Sequence, residues 1–179
     1  HFLYSAEMIT VTSYPEHLSS KAEKHWNQVY TFNSNIEFKP MSIHEVFGKY
    51  DLILMKSVLG GVCRDRESDY HQKIINQLVK DNLNVGGRLL TLDNGQSFLE
   101  PVLKWFGARA NQWRFYQPED FKNFEKQYVF GVLSAFSLQS RLGWIGQQFD
   151  SLIYLFDRVL GLFLKNLSPT VIVTIYRKW

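Results

Sequence analysis

The chain is short of cysteine: Cys63 is the only one among its 179 residues. One cysteine excludes an internal disulfide and a cysteine-based zinc site, and it favours a reducing compartment, so we expect a cytoplasmic protein. No apolar run is long enough to span a bilayer, and we expect neither a signal peptide nor a membrane span. Histidine and carboxylate residues do not recur at metal-ligand spacing, so we predict no metal site.

Charge and aromatic content narrow the class of protein. The net charge is +3, and Lys and Arg form no dense cluster interleaved with aromatic residues, so we expect no nucleic-acid partner. Hydrophobic residues make up 45% of the chain and aromatic residues 16%, which is typical of a globular protein with a thick core or a pocket walled by rings. The length predicts one domain, residues 1–179, rather than two.

Residues 51–94 contain a strand, a helix and a second strand. The unbroken apolar run 51–55 is typical of a parallel strand covered on both faces. A helix follows, with Ser68 as its cap and apolar residues at intervals of three and four. Residues 84–87 end the helix, because their two glycines accept left-handed dihedrals, and 88–92 form a second buried strand. This order predicts a βαβ unit with a right-handed crossover.

The remaining elements flank this unit. Further strands are predicted at residues 8–12, 36–38, 128–133 and 170–176, and helices at 15–26, 98–106 and 140–167. The last helix is a helical insertion before the final strand, and its stretch 149–167 is unusually apolar on its flanks. Such a helix is expected to be core, a lid, a homodimer surface or a peripheral contact with a lipid-linked substrate.

The order of short motifs resembles a known family. Asp51-Leu52-Ile53-Leu54, then Ser57-Val58-Leu59, then a helix ending in the run from Leu83 through Gly86-Gly87 to Leu90 resembles the second half of a class I S-adenosylmethionine-dependent methyltransferase. The resemblance implies an α/β, Rossmann-like sheet that is mostly parallel, with an antiparallel C-terminal strand. Any doubly wound α/β domain would explain the βαβ unit equally well.

The family's glycine-rich loop is missing from the sequence. That loop follows strand one of the family's sheet, and the chain contains no G-x-G motif and nothing before Met8 that resembles the strand. We therefore expect the sequence to be the C-terminal part of a longer protein, lacking strand one and the glycine-rich loop. A rearranged fold is the competing interpretation.

The resemblance also implies where S-adenosylmethionine would bind. Thr12 stands where the family usually has the acid that holds both ribose hydroxyls. Either Ser13 or Tyr14 therefore contributes, or the register is off by one, or the affinity for the cofactor is reduced. Ser42 stands where many relatives have an Asp on the adenine amino group. Lys56 and Ser57 end the family's fourth strand, beside the methionine moiety. The predicted cofactor-binding residues are Thr12, Ser13, Tyr14, Ser42, Lys56 and Ser57.

Acceptor-binding residues are expected beyond the fifth strand of the family. Asp93 is the candidate catalytic base and Asn94 would fix a hydroxyl, although the pair would equally form an Asx turn that caps the next helix. The segment 112–116 resembles methyltransferase-like proteins of polysaccharide clusters. Trp113 suits a sugar face and Arg114 a carboxylate or phosphate, or both belong to a packed helix entry.

We therefore predict methyl transfer from S-adenosylmethionine to a small-molecule or glycan-like acceptor. A first alternative is a non-catalytic interaction module that has lost cofactor binding, favoured by the missing acids at Thr12 and Ser42. A second alternative is another nucleotide-using Rossmann enzyme, such as a dehydrogenase or an epimerase. That alternative requires an all-parallel sheet, whereas the methyltransferase interpretation requires strand 170–176 to be antiparallel.

Overall fold

The structure is a computed structural model. It describes residues 8–13, 28, 36–96, 113–131, 150–164 and 170–179. Three predicted elements lie wholly or partly outside the described residues. They are the helices 15–26 and 98–106 and, except for residues 150–164, the predicted insertion 140–167. The chain divides into two compact units, residues 1–48 and 49–179. A single domain over 1–179 stays a prediction.

The first unit contains two parallel strands. Strand β1 (Ile9–Ser13) pairs with β2 (Ile36–Pro40), with Ile9 opposite Ile36. Across this pair, the Thr10 hydroxyl donates a hydrogen bond of 2.7 Å to the Glu37 carboxylate. A 3-10 helix, Ile43–Glu45, follows β2. The two predicted strands of this region are confirmed.

The second unit contains a four-stranded sheet. Its strands are β3 (Tyr50–Lys56), β4 (Leu83–Asn94), β5 (Lys126–Phe130) and β6 (Val171–Arg177). The strand order is β3-β4-β6-β5, with β3 parallel to β4 and with β6 antiparallel to both β4 and β5. The predicted antiparallel C-terminal strand is confirmed, and the all-parallel sheet required by the dehydrogenase alternative is wrong.

The crossover between β3 and β4 is helical, as predicted. It consists of α1 (Val58–Val62), α2 (Tyr70–Gln77) and a π-helical turn (Leu78–Asn82). Gly60 and Gly61 both lie within α1. Asp69, rather than Ser68, precedes the first residue of α2.

Strand β4 begins earlier than its apolar pattern indicates. We expected a loop at residues 84–87, but the strand already includes them. The Gly86 N–H donates to the Lys178 carbonyl at 2.8 Å, and the Lys178 N–H donates to the Gly87 carbonyl at 3.1 Å. These bonds to the end of β6 hold the segment extended, and Gly86 supplies the positive φ of 82° that the irregular stretch needs.

The four-stranded sheet has two unlike faces, which follow from the strand registers. The inner face carries Ile53, Met55, Leu89, Thr91, Asp93, Gln127, Val129, Ile172, Thr174 and Tyr176. The open face carries Leu52, Leu54, Leu90, Leu92, Val171, Val173, Ile175, Tyr128 and Phe130, with Lys56, Arg88, Lys126 and Arg177 at its ends.

Burial separates the two faces. Seven of the ten inner-face side chains are 6% exposed or less, whereas Leu54 is 62% and Phe130 54% exposed on the open face. The prediction that the first strand of the βαβ unit is covered on both faces is therefore wrong. The physical reason is that β3 is the end strand of this sheet and turns Leu52 and Leu54 to the open face.

One long helix precedes β6. Helix α3, Asp150–Leu164, confirms that the link between the last two strands is helical where the structure describes it. Several of its apolar side chains are exposed, at positions three or four residues apart. They are Leu152, Leu155, Phe156, Val159 and Phe163.

Candidate functional site

A strained turn follows β3 at the carboxyl end of the strand. Ser57 has a φ of 54°, in the left-handed region, although it carries a side chain. Such a conformation costs about 1–2 kcal/mol and persists only where the surroundings hold it. Here the Ser57 N–H donates to the Leu92 carbonyl of β4 at 2.7 Å. Lys56 is exposed beside it, so both predicted cofactor residues of this unit lie at the carboxyl end of β3.

The segment Trp113–Tyr116 closes over this turn. The Arg114 N–H donates to the Gly60 carbonyl at 2.8 Å. A Cβ at Gly60 would lie 2.7 Å from the Arg114 carbonyl oxygen, and one at Gly61 would lie 2.9 Å from the Trp113 ring. Real Cβ atoms do not approach so closely, so both positions require glycine because of the close contact.

The same segment is fastened to the carboxyl end of β4. The Tyr116 N–H donates to the Asn94 carbonyl at 3.0 Å, and the Gln96 N–H donates to the Tyr116 carbonyl at 2.8 Å. The structure therefore brings together four predicted site regions: Ser57, Asn94, Trp113 and Arg114.

The Arg114 side chain has backbone partners. Its guanidinium donates to the carbonyl of Glu67 and to that of Ser68, each at 2.9 Å, and lies over the Tyr116 ring. Trp113 is 37% exposed while its ring edge contacts Gly61. Both residues support the loop between α1 and α2, and a role for either in binding an acceptor stays a prediction.

Asp93 lies on the inner face, one residue before the end of β4, and is only 2% exposed. Burial raises the pKa of its carboxyl to about 7, and the Thr91 hydroxyl and the backbone of Leu59 and Gly60 lower it in part. None of these groups reaches normal hydrogen-bond geometry, so neither carboxyl oxygen has a partner among the described residues. The predicted base is at the expected sheet edge but is enclosed, and its catalytic role stays a prediction.

Other buried polar side chains surround Asp93, and the sequence analysis did not select them. Burial raises the pKa of the Cys63 thiol and those of the Tyr116 and Tyr176 phenols. The Asp93 charge also contributes to all three shifts. A usable signal was present in the spacing of Thr91 and Asp93, since residues two apart in a strand share one face.

His71 anchors the closing segment to α2. Its ring is 2% exposed and packs 4.9 Å from the Tyr116 ring and 5.4 Å from the Phe121 ring, between centroids. Its Nε2 lies 2.9 Å from the Asp120 carbonyl oxygen. These contacts fix the position of Tyr116 beneath the strained turn.

The first unit holds the other predicted cofactor residues. Thr12 is exposed on β1; Ser13 lies in β1, and Tyr14 lies outside the described residues. Ser42 caps the 3-10 helix: its hydroxyl accepts from the His44 N–H at 3.4 Å, and its own N–H donates to the Glu45 carboxylate at 3.0 Å. Contacts of these residues with a cofactor stay predictions.

Within residues 8–13, 36–96, 113–131, 150–164 and 170–179, no three His, Cys, Asp or Glu side chains are grouped closely enough to hold a metal ion. Over the same residues, no helix combines the length and the apolar character needed to cross a membrane.

Comparison with known proteins identifies relatives by structure. No protein-family model and no curated protein sequence matches the chain. Magnesium protoporphyrin IX methyltransferase from Synechocystis PCC 6803, with bound SAH, superposes with a TM-score of 0.57 at 12% identity, over 98% of this chain and 67% of that one. A Galdieria sulphuraria protein, proposed to be a sarcosine dimethylglycine methyltransferase, gives 0.58 at 13% identity, over 96% and 69%.

A third solved structure agrees with these two. Geranyl diphosphate methyltransferase in complex with SAM superposes with a TM-score of 0.55 at 9% identity, over 96% of this chain and 69% of that one. Together with the strand order, these likenesses show a class I methyltransferase fold, so the predicted fold class is confirmed.

Proposed function

Starting from this fold, we propose that the protein transfers a methyl group from S-adenosylmethionine to a small-molecule or glycan-like acceptor. The observation that carries the proposal is the sheet of the second unit, in which antiparallel β6 lies between β4 and β5 and a strained turn follows β3. Ligands of open α/β sheets bind at the carboxyl ends of the strands, where this turn lies. Two of the structural relatives were solved with SAH or SAM.

The residues of this chain fit the cofactor in their donor chemistry. A Ser in the left-handed region, Ser57, is held at the carboxyl end of β3, where strain of this kind is typical of a ligand contact. Thr12 offers an exposed hydroxyl that can both donate to and accept from a ribose hydroxyl. The proposed cofactor contacts are Thr12, Ser13, Tyr14, Ser42, Lys56 and Ser57.

Methyl transfer from S-adenosylmethionine requires few catalytic groups from the protein. The sulfonium of the cofactor supplies an activated methyl group; the acceptor's lone pair bonds to the methyl carbon while the carbon–sulfur bond breaks, leaving SAH. The protein aligns the acceptor and excludes water. A hydroxyl acceptor also loses a proton, and Asp93 is the proposed base. This role requires the acceptor to reach a carboxyl that is only 2% exposed.

The acceptor side of the proposal rests on Trp113 and Asn94. The Trp113 ring is partly exposed beside the strained turn, and an exposed indole face suits the C–H face of a sugar. Arg114 would bind an anionic group only by giving up its contacts with the Glu67 and Ser68 carbonyls. A neutral saccharide therefore fits better than a charged one.

Binding of the cofactor is the first test. Isothermal titration with S-adenosylmethionine and SAH should give micromolar dissociation constants, and Thr12→Ala should weaken both by about fivefold, since a lost hydrogen bond is worth about 1 kcal/mol. Thr10→Ala is the matched control, because the Thr10 hydroxyl is engaged by Glu37. Transfer of a labelled methyl group to a panel of saccharides would then identify the acceptor.

A non-catalytic interaction module is the second candidate. The observation in its favour is that the Ser42 hydroxyl and backbone are engaged in capping the 3-10 helix, and that no carboxylate stands at Thr12. Absence of binding to both ligands at millimolar concentration would contradict methyl transfer and support the module.

The proposal includes a homodimer contact through α3. The exposed apolar residues of this helix, among them Phe163 at 78% exposure, form one stripe, and stripes of this kind are typical of interaction surfaces. Sedimentation should show a dimer that Phe156→Lys dissociates and the control Arg158→Lys does not. Binding of the monomer to lipid vesicles would instead support peripheral membrane contact.

A further inference from the structure

Helix α1, which begins directly after the strained Ser57, is approached from two sides. On one side, the Arg114 N–H donates to the Gly60 carbonyl at 2.8 Å. On the other side, the Asp93 carboxyl faces the backbone of Leu59 and Gly60, close enough for both to influence it but outside normal hydrogen-bond geometry. A buried carboxyl without a partner is costly, so its position beneath this turn needs an explanation.

Burial sets the carboxyl of Asp93 apart from its neighbours, because it raises the pKa of this carboxyl to about 7. The groups that face it are the Thr91 hydroxyl, the Cys63 thiol and the Tyr116 and Tyr176 phenols. Burial raises the pKa of the thiol and of both phenols, so these three stay neutral at pH 7. The positive charges of Arg66 and Arg114 partly offset the rise in the pKa of Cys63, and the charge of Arg114 also partly offsets that of Tyr116. The His71 ring packs against Tyr116 and is the other titratable side chain nearby.

We propose that Asp93 is a positioning residue: its ionised carboxyl accepts hydrogen bonds from the Leu59 and Gly60 amides and thereby fixes Ser57 in the left-handed conformation that receives the cofactor. The proposal rests on the proposed function. This role is separable from the proposed general-base role, because it acts through the turn on cofactor affinity and needs no contact between Asp93 and the acceptor.

The proposal gives cofactor affinity a pH dependence. A carboxylate accepts hydrogen bonds about twice as strongly as a neutral group does, so ionisation tightens the turn. The affinity for SAH should therefore rise about three- to tenfold between roughly pH 6 and pH 8, since two amide contacts are strengthened. A general base would instead change turnover and leave SAH affinity unchanged.

The test combines amide NMR with SAH titrations of the protein. In the wild-type protein, the amide proton shifts of Leu59 and Gly60 should move with pH around an inflection near 7, where Asp93 titrates. Asp93→Asn should abolish this inflection and make SAH affinity independent of pH. Asp65→Asn is the matched control, because the side chain of Asp65 is 86% exposed, and it should behave as wild type.

Each outcome is decisive. An inflection that survives in Asp93→Asn would overturn the proposal. SAH affinity that is independent of pH in the wild-type protein would also overturn it, as would an Asp93→Asn variant that keeps the wild-type pH profile of affinity and loses only turnover. If the wild-type protein does not bind SAH at all, the proposed function fails, and the amide titration of the wild-type protein, which needs no variant to fold, still decides whether Asp93 holds the turn.

Discussion

The two faces of the four-stranded sheet differ in the polar groups that they bury and in the apolar groups that they expose. The inner face buries polar groups, including Asp93 and Thr174 at 2% and 0% exposure. The open face exposes apolar ones, including Leu54 at 62% and Phe130 at 54%. Exposed apolar patches of this kind mark contact surfaces, and buried polar groups are retained mainly where they serve a site. The buried polar groups of the inner face lower the stability of the sheet, and we therefore expect them to serve the site. The open face is where we expect the sheet to contact a partner.

A pair of identical truncations should separate the faces most strongly. Leu89→Ala removes a side chain that is 0% exposed on the inner face, and should lower the free energy of unfolding by about 2–5 kcal/mol. Leu54→Ala, on the adjacent strand but on the open face, should cost less than about 1 kcal/mol. Urea unfolding of both variants measures the difference, and equal losses would show that the open face is covered.

The buried acid should make stability depend on pH. Because the folded-state pKa of Asp93 is raised to about 7, folding favours its protonated form, and this contribution is lost as pH rises through 7. The unfolding free energy should fall by about 4 kcal/mol between acidic and alkaline pH, and Asp93→Asn should remove that part of the dependence. Urea unfolding at a series of pH values checks the sign, and a gain in stability with pH from this residue would contradict it.

Gly60 and Gly86, two glycines of the second unit, should lower stability by different amounts when each is replaced by alanine. Gly60→Ala places a Cβ 2.7 Å from the Arg114 carbonyl and should cost about 1–3 kcal/mol. Gly86→Ala meets no atom within 4 Å but keeps a φ of 82°, so it should cost about 1 kcal/mol from backbone strain alone. Thermal unfolding measures which substitution lowers stability more. A larger loss in Gly86→Ala would contradict the close contact at Gly60.

The smallest effect is expected on the open face itself. Tyr128 is 46% exposed and stacks on Phe130 with centroids 6.3 Å apart. Tyr128→Ser should change unfolding by less than about 1 kcal/mol but should reduce concentration-dependent association in sedimentation, because it removes apolar surface. An unchanged association would assign that contact to α3 alone.

The sequence predicted the βαβ unit well, because unbroken apolar runs are local signals. It did not predict the exposure of Leu54, since burial depends on which strands are neighbours in the sheet. The sequence also did not predict the conformation of Ser57 or the backbone partners of Arg114, because each depends on contacts with residues distant in sequence. The spacing of Asp93 and Thr91 predicts that both side chains lie on one face of the strand, but spacing alone does not predict that this face is buried.

Backbone NMR of the protein during titration with SAH tests the central claim most directly, because it locates the ligand as well as detecting it. The account predicts that saturating SAH shifts the amides of residues 57–61 most within the second unit, with residues 12–13 shifting in the first. No shift at residues 57–61 at saturating SAH would contradict it.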